Sequence, residues 1–475
     1  MLHLPALKAR RNNMSIRKYS APLSTLAVCA FALYATSAHA AGRTLSAANN
    51  GVDSASCGDL AKPCRSIGQA IANSSDGDTI NVGAGVYGDL TGDGTYSHPG
   101  DEHPQFEGAS PNACVICIDR HVQIVSYHGA SVTIIKAPPA PGAGETSIVA
   151  IKRDGVRFGN LGAGFTLTGG ATQGVLVDLR DLLGGESAQV TIEGNVDLGD
   201  TRGYAFRGPF PSDRNSICQL PCGGAFVFSN NQSFGNADSG FSFELNIPLG
   251  PITVVNNFAS GAHVGFTVQA GGQDELGNAF SATNVTLRDN VAQRNSVGFI
   301  TILVGPVVGN TAADNALVGF FAVPFNQAQF RSNSALGNGG PGVIVNFARN
   351  RLIEDPNPSP GPLVGFGDFS QNNLFGNDRA RPQLSELWAP FLSVIGSFSV
   401  GPSAHCGVLN VGDLQAIGNF PSPISTQIAN NDYWGSVQGP SASGPGDAVG
   451  GSCDVNGGKT TAKTFSTQPF SVTTF

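Results

Sequence analysis

Four side chains suited to acid–base chemistry or to holding a charged or polar ligand recur at one place in a repeated phrase. Asp178, Arg207, Glu244 and Gln269 each stand four residues after a glycine, at Gly174, Gly203, Gly240 and Gly265. An arginine between two carboxylates can bind an acidic sugar and hold a carboxylate ready as acid or base. Two carboxylates ~5–9.5 Å apart are also the arrangement that glycoside hydrolysis uses. The same place after Gly298 holds Ile302, and Ile300 and Phe321 stand two residues after glycines. These three add an apolar floor suited to the faces of sugar rings. The catalytic candidates are therefore Asp178, Arg207 and Glu244, with Gln269, Ile300, Ile302 and Phe321 as substrate-binding candidates. The same charges also read as a solvated ion-pair ladder, worth about 0–1 kcal/mol per pair.

The elements that must position them follow from the phrase itself. Asn231, Asn257, Asn290, Asn310 and Asn333 open five copies, spaced 26, 33, 20 and 23 residues apart. Ser or Ala follows two residues later, and Asn236, Asn295, Asn315 and Asn338 (Ala262 in one copy) five residues later. Then come a glycine and an apolar run, Phe241, Phe266, Phe299, Phe320 and Val343 being first after the glycines. A short period with alternating apolar residues marks a solenoid, because one unit is too small to bury its own face and must stack on its neighbours. Runs rich in Val, Ile and Phe favour strands. Alternation turns Phe241, Phe243 and Leu245 inward and Ser242 and Glu244 outward. The small residue lets the chain corner tightly, and the Asn can adopt left-handed geometry and bond along a ladder. With coils ~4.8 Å apart, Asp178 and Glu244 stand two steps from each other. The 29 and 37 residues separating Gly174, Gly203 and Gly240 leave room for an additional coil.

Two flanking phrases extend the pattern. One is the stretch from Cys64 to Ser75 followed by Asp76-Gly-Asp-Thr-Ile-Asn-Val-Gly-Ala-Gly-Val-Tyr87. The other is Asn430-Asn-Asp-Tyr-Trp-Gly-Ser436 with Gly439-Pro-Ser441 and Gly444-Pro-Gly446. With the repeat they make the chain resemble right-handed parallel β-helix proteins of the pectate-lyase-like superfamily. The resemblance implies an all-β fold: a single right-handed parallel β-helix solenoid over residues 78–451, an N-terminal cap over 41–77 and a C-terminal tail over 452–475. It also implies an extracellular polysaccharide or cell-surface glycan as partner, while the superfamily's non-catalytic adhesion and scaffold proteins stay open as the alternative. The enzyme motifs of that superfamily are missing: there is no Asp-Asp with a downstream Gly-His-Gly as in the polygalacturonase-like glycoside hydrolases, no Arg-x-Pro-x-x-Arg as in the pectate-type polysaccharide lyases, and no Asp-Pro-His-Asp as in the alginate epimerases.

Composition and targeting bound the rest. Charged residues make up 13% of the 475 residues, with 63 Gly against 2 Met, as suits a turn-dense all-β chain. The net charge of −8 gives no basic footprint for nucleic acid. Residues 14–20 are basic, 21–36 apolar, and Ala38-His39-Ala40 is a small-x-small cleavage signal, so residues 1–40 read as a signal peptide with its true start at Met14. No later stretch is long and apolar enough for a membrane span. The expected product is an exported monomer, extracellular or periplasmic. Eight cysteines remain beyond the signal, and proximity pairs Cys57 with Cys64, Cys114 with Cys117, Cys218 with Cys222 and Cys406 with Cys453. No cofactor is required, though Asp197, Asp200 and Arg202 cluster in a turn where later copies carry Ala or Asn, and such carboxylates can hold Ca2+.

Overall fold

Short strands, most of three to seven residues, stack in parallel into three long sheets, seen in a computed structural model of the chain. It describes residues 42–91, 98, 100–102, 105–106, 113–137, 146–178, 189–207, 224–245, 251–273, 279–281, 285–303, 305–324, 328–346, 363–378, 405–412, 425–441, 446–454 and 458–474. The sheets hold 11, 10 and 12 strands, and each turn of the chain contributes one strand to each sheet in the same order. The chain is thus a parallel β-helix. Residues 1–40, expected to be a signal peptide, and the expected Cys218–Cys222 pair lie outside the described residues.

The first residue after each glycine turns inward and makes the core. Tyr204, Phe241, Phe266, Phe299 and Phe320 stack in register in the third sheet, with ring centroids 4.7, 4.6, 4.8 and 4.7 Å apart and planes within 9° of parallel. That separation is the strand spacing, so sheet geometry and aromatic stacking reinforce each other.

The repeated asparagines form two buried hydrogen-bonded rails. In the first, Asn195, Asn231, Asn257, Asn290, Asn310, Asn333 and Asn372 are all fully buried. Each Oδ1 accepts the main-chain N–H of the preceding member, as Asn257 does from Asn231 at 3.0 Å and Asn333 from Asn310 at 2.9 Å. Most side-chain amides also donate to the next member, and they reach back to a strand carbonyl of the coil before. The second rail runs Asn295–Asn315–Asn338–Asn377. The left-handed residue of each corner is not the rail asparagine, as expected from the sequence, but the residue before it: Asn230, Asn256, Asp289 and Ser332 have φ of 55°, 54°, 55° and 56°. That leaves the rail residue's side chain free to point inward.

The N-terminal end is closed by the strand Thr44–Ala47, paired with Thr79–Val82, and by the helix Ile67–Asn73, which buries Ile67, Ala70 and Ile71. Ser66 caps the helix by accepting from Gln69 N. The polar insertion after Asp89 docks here: Glu102 is buried and accepts from Ile67 N and Gly68 N. Disulfides join Cys57 to Cys64, Cys114 to Cys117 and Cys406 to Cys453. The tail is more structured than the sequence suggested, since Gly458–Thr461 is a strand paired with Ser425–Ile428.

Candidate functional site

The row built from the fourth residue after each glycine is in register. Asp178 pairs with Arg207, Arg207 with Glu244, Glu244 with Gln269, Gln269 with Ile302, and Ile302 with Val323. The strands carrying them are direct neighbours in the third sheet, so no additional coil separates Gly174 from Gly240. Asp178 and Glu244 sit two strand steps apart, about 9.6 Å between their main chains.

The surroundings of the row differ from a uniformly exposed face. Glu244 is about one-third exposed, with 35% side-chain accessibility, and Gln269 is exposed. Asp178 and Arg207 are buried, at 3% and 9%. Burying charged groups demands compensation by pairing and hydrogen bonding, so these two belong to a held arrangement rather than a freely solvated ladder.

Arg202 also changes its expected place. The sequence groups it with Asp197 and Asp200, but its guanidinium lies on the outer face of the third sheet. There Nε meets Asp238 Oδ2 at 2.8 Å and Nη1 meets Glu244 Oε1 at 3.4 Å. Ser242 Oγ donates to the same Glu244 oxygen at 3.4 Å. Asp238 escaped the sequence reading because it precedes the strand; its position two residues before Gly240, at the entrance to that copy's apolar run, was the available signal. An arginine bridging two carboxylates is therefore present, formed by Arg202 with Asp238 and Glu244.

Beyond Gln269 the face turns apolar. Ile300 pairs with Phe321, and Phe321 with Ile344. Ile300 is buried in one cluster with Val264, Val297, Val318, Ile344 and Leu409, against which Phe321 packs half-buried. Ile302 is half-buried as well. Ile300 is thus part of a packed outer cluster and not an open apolar floor, whereas Phe321 and Ile302 keep some accessible surface.

Asp197 and Asp200 come together inside the coil. Asp197 occupies the small inward position, in register with Ser233, and Asp200 stands at the head of the second rail, accepting Ala171 N at 2.7 Å. Asp197 Oδ2 accepts from Asn236 Nδ2 at 2.7 Å. Burial, followed by the neighbouring Asp200 carboxylate, holds the Asp197 carboxyl well above its usual range, and burial raises Asp200 too. Asp197 Oδ1, Asp200 Oδ2 and Asn236 Oδ1 have no donor. Raised in this way, the pair favours keeping a proton at neutral pH.

A solved structure described as rhamnogalacturonan lyase is similar to this chain, with 12% identity over 71% of this chain and 82% of that one, at a TM-score of 0.37. No protein-family model matches the sequence, and no curated protein matches it.

Proposed function

We propose that the chain is an exported β-helix protein that binds or processes extracellular polysaccharide through the outer face of its third sheet. The observation that carries this reading is the in-register row Asp178–Arg207–Glu244–Gln269, flanked by the Arg202 bridge, on consecutive coils. A linear glycan lying along the solenoid axis would meet Glu244 and Gln269 on coils about 4.8 Å apart, with Asp178 and Arg207 buried beside them. Arg202, part-exposed next to Glu244, suits carboxylate recognition by paired N–H donors. Gln269 and the accessible parts of Ile302 and Phe321 would extend the contact toward neutral sugar faces.

A non-catalytic surface or scaffold protein is the second reading. It is favoured by the engagement of Glu244 with Arg202, which satisfies both charges within the chain, and by the burial of Asp178, which withholds it from a ligand.

The test is to screen residues 41–475 against neutral and uronic-acid polysaccharides, following binding, unsaturated products and new reducing ends, with and without calcium. Cleavage lost in Arg207→Ala or Glu244→Ala would establish an enzyme and place its site. Binding without cleavage, weakened by Gln269→Ala or Glu244→Ala, would establish a glycan-binding face. Neither binding nor cleavage across the panel would leave the scaffold reading.

A further inference from the structure

The outer face of the second sheet carries a lengthwise row: Val196, Gln232, Phe258, Val291, Thr311, Ser334 and Asn373, paired in register from strand to strand. Its first three members are half-buried and its last four are buried. The difference coincides with the C-terminal segment. Asn373 forms a two-way bond with the main chain of Phe470, donating from Nδ2 to its carbonyl at 3.1 Å and accepting its N–H at Oδ1 at 2.8 Å. Two strands away, Thr311 Oγ1 donates to Thr473 O at 2.8 Å, and Thr473 Oγ1 donates to Gly309 O at 2.5 Å.

The lengths agree. Three extended residues span about 10 Å, and the two strand steps from Asn373 to Thr311 cover about 9.6 Å. The segment therefore runs as an extended chain along the solenoid axis, back toward the N-terminal coils. It lies across the strands rather than beside an edge strand, so side-chain amide and hydroxyl groups read its main chain in place of ladder bonds.

We propose that this trough is a docking site for an extended polypeptide, and that its ligand is the chain's own C-terminal segment. Recognition is by the Asn373 amide, which presents one donor and one acceptor to the main chain of one residue, Phe470, and by Thr311 and the Gly309 carbonyl two coils further on. The contact is made outside the core, between a sheet that is complete without it and a segment whose side chains are mostly exposed. It can therefore be undone and remade without unfolding the solenoid. This site is separate from the third-sheet face and stands or falls independently of it.

The experiment uses the full chain. Phe470→Pro with Thr473→Ala removes the segment's N–H to Asn373 and its hydroxyl to Gly309 while leaving every trough residue intact. A fluorescein-labelled peptide of residues 466–475 is titrated into this variant and into the unmodified chain, read by fluorescence anisotropy. The variant is expected to bind the peptide at least about 10-fold more tightly, because its own segment no longer competes. Adding Thr311→Val to the variant is expected to weaken peptide binding by about 2- to 10-fold, the effect of one hydrogen bond. Asn373→Ala is the stronger variant, and Thr311→Val keeps the test valid if Asn373→Ala fails to fold. Absence of binding to the variant, equal binding to both chains, or binding indifferent to Thr311→Val would overturn the proposal.

Discussion

Asn377 and Asp447 close the second asparagine rail: the main-chain and side-chain amides of Asn377 both donate to Asp447 Oδ2, at 3.1 and 2.9 Å. Asn372 meets Asp432 Oδ1 in the same way at the end of the first rail. Along both rails the oxygen accepts from the preceding member, and most amides give one N–H to the following member while the other reaches back to a strand carbonyl. The bonds between members therefore run one way, donating toward the C-terminal coils, and each rail ends on a carboxyl group that only needs to accept. The amide donors favour the ionised form of these carboxyls, much as at a helix N-terminus, but burial outweighs them and holds both Asp432 and Asp447 above their usual range.

The rails set a stability expectation. Asn310→Ala removes the acceptor for Asn290 N and Nδ2 and the donor to Leu287 O, all buried. Unmet buried groups of this kind cost about 1–3 kcal/mol each, so a loss of roughly 2–4 kcal/mol is expected in urea denaturation. Ala262 interrupts the second rail: its N–H donates to Asn295 Oδ1 as a rail member's does, but it has no side-chain oxygen to accept from Asn236 on the coil before. Ala262→Asn is expected to raise stability by about 1 kcal/mol by supplying the missing link.

Stability should fall as pH rises from acid to neutral. Burial, offset in part by the Asn377 and Gly376 donors, pushes Asp447 up to about 6, and burial pushes Glu102 up to about 7. A carboxyl raised in the folded state binds its proton more tightly there than in the unfolded chain. Its contribution is complete below the unfolded value and is lost as pH climbs through the folded one. The windows run from about 4 to 6 for Asp447 and from about 4.5 to 7 for Glu102. Asp447→Asn should flatten the thermal-melt profile over the first window, and Glu102→Gln over the second. Profiles unchanged by both substitutions would contradict the assignment.

A shared proton, rather than calcium, is the expected occupant of the Asp197–Asp200 pair. Melting temperature should then be indifferent to EDTA and added Ca2+ at fixed pH. Asp200→Asn, which keeps an amide as in the other copies of the rail, should weaken the loss of stability on alkalinisation. A calcium-dependent rise in melting temperature, abolished by Asp197→Asn, would show a metal instead.

The register of the third-sheet face was legible in the sequence because one glycine marks each strand start and alternation then fixes which side chains turn out; Asp178, Arg207, Glu244 and Gln269 fall where that count puts them. Three disulfides follow from sequence proximity for the same reason, short or terminal loops bringing their ends together. The count says nothing of what covers a face. The packing of Ile300 depends on parts of the chain remote in sequence, Ile344 and Leu409 among them. Arg202 was misplaced because it precedes its glycine by one residue, at a corner where the turn decides its direction. The ends of the rails were within reach, since Asp432 stands in Asn430-Asn-Asp432 where other coils place asparagine. The docked C-terminal segment has no periodic signature, because its partners read main chain and not side chains.

The left-handed residue before each rail asparagine separates two kinds of information. Successive members of the first rail lie 20 residues apart at Asn290–Asn310 and 39 at Asn333–Asn372, yet both pairs bond through the same atoms at the same place in the coil. The corner fixes the climb of the helix regardless of how much chain is spent between corners. Connections can therefore lengthen, shorten or be replaced one at a time, so a new surface can be written onto any coil without rewriting the frame that holds it.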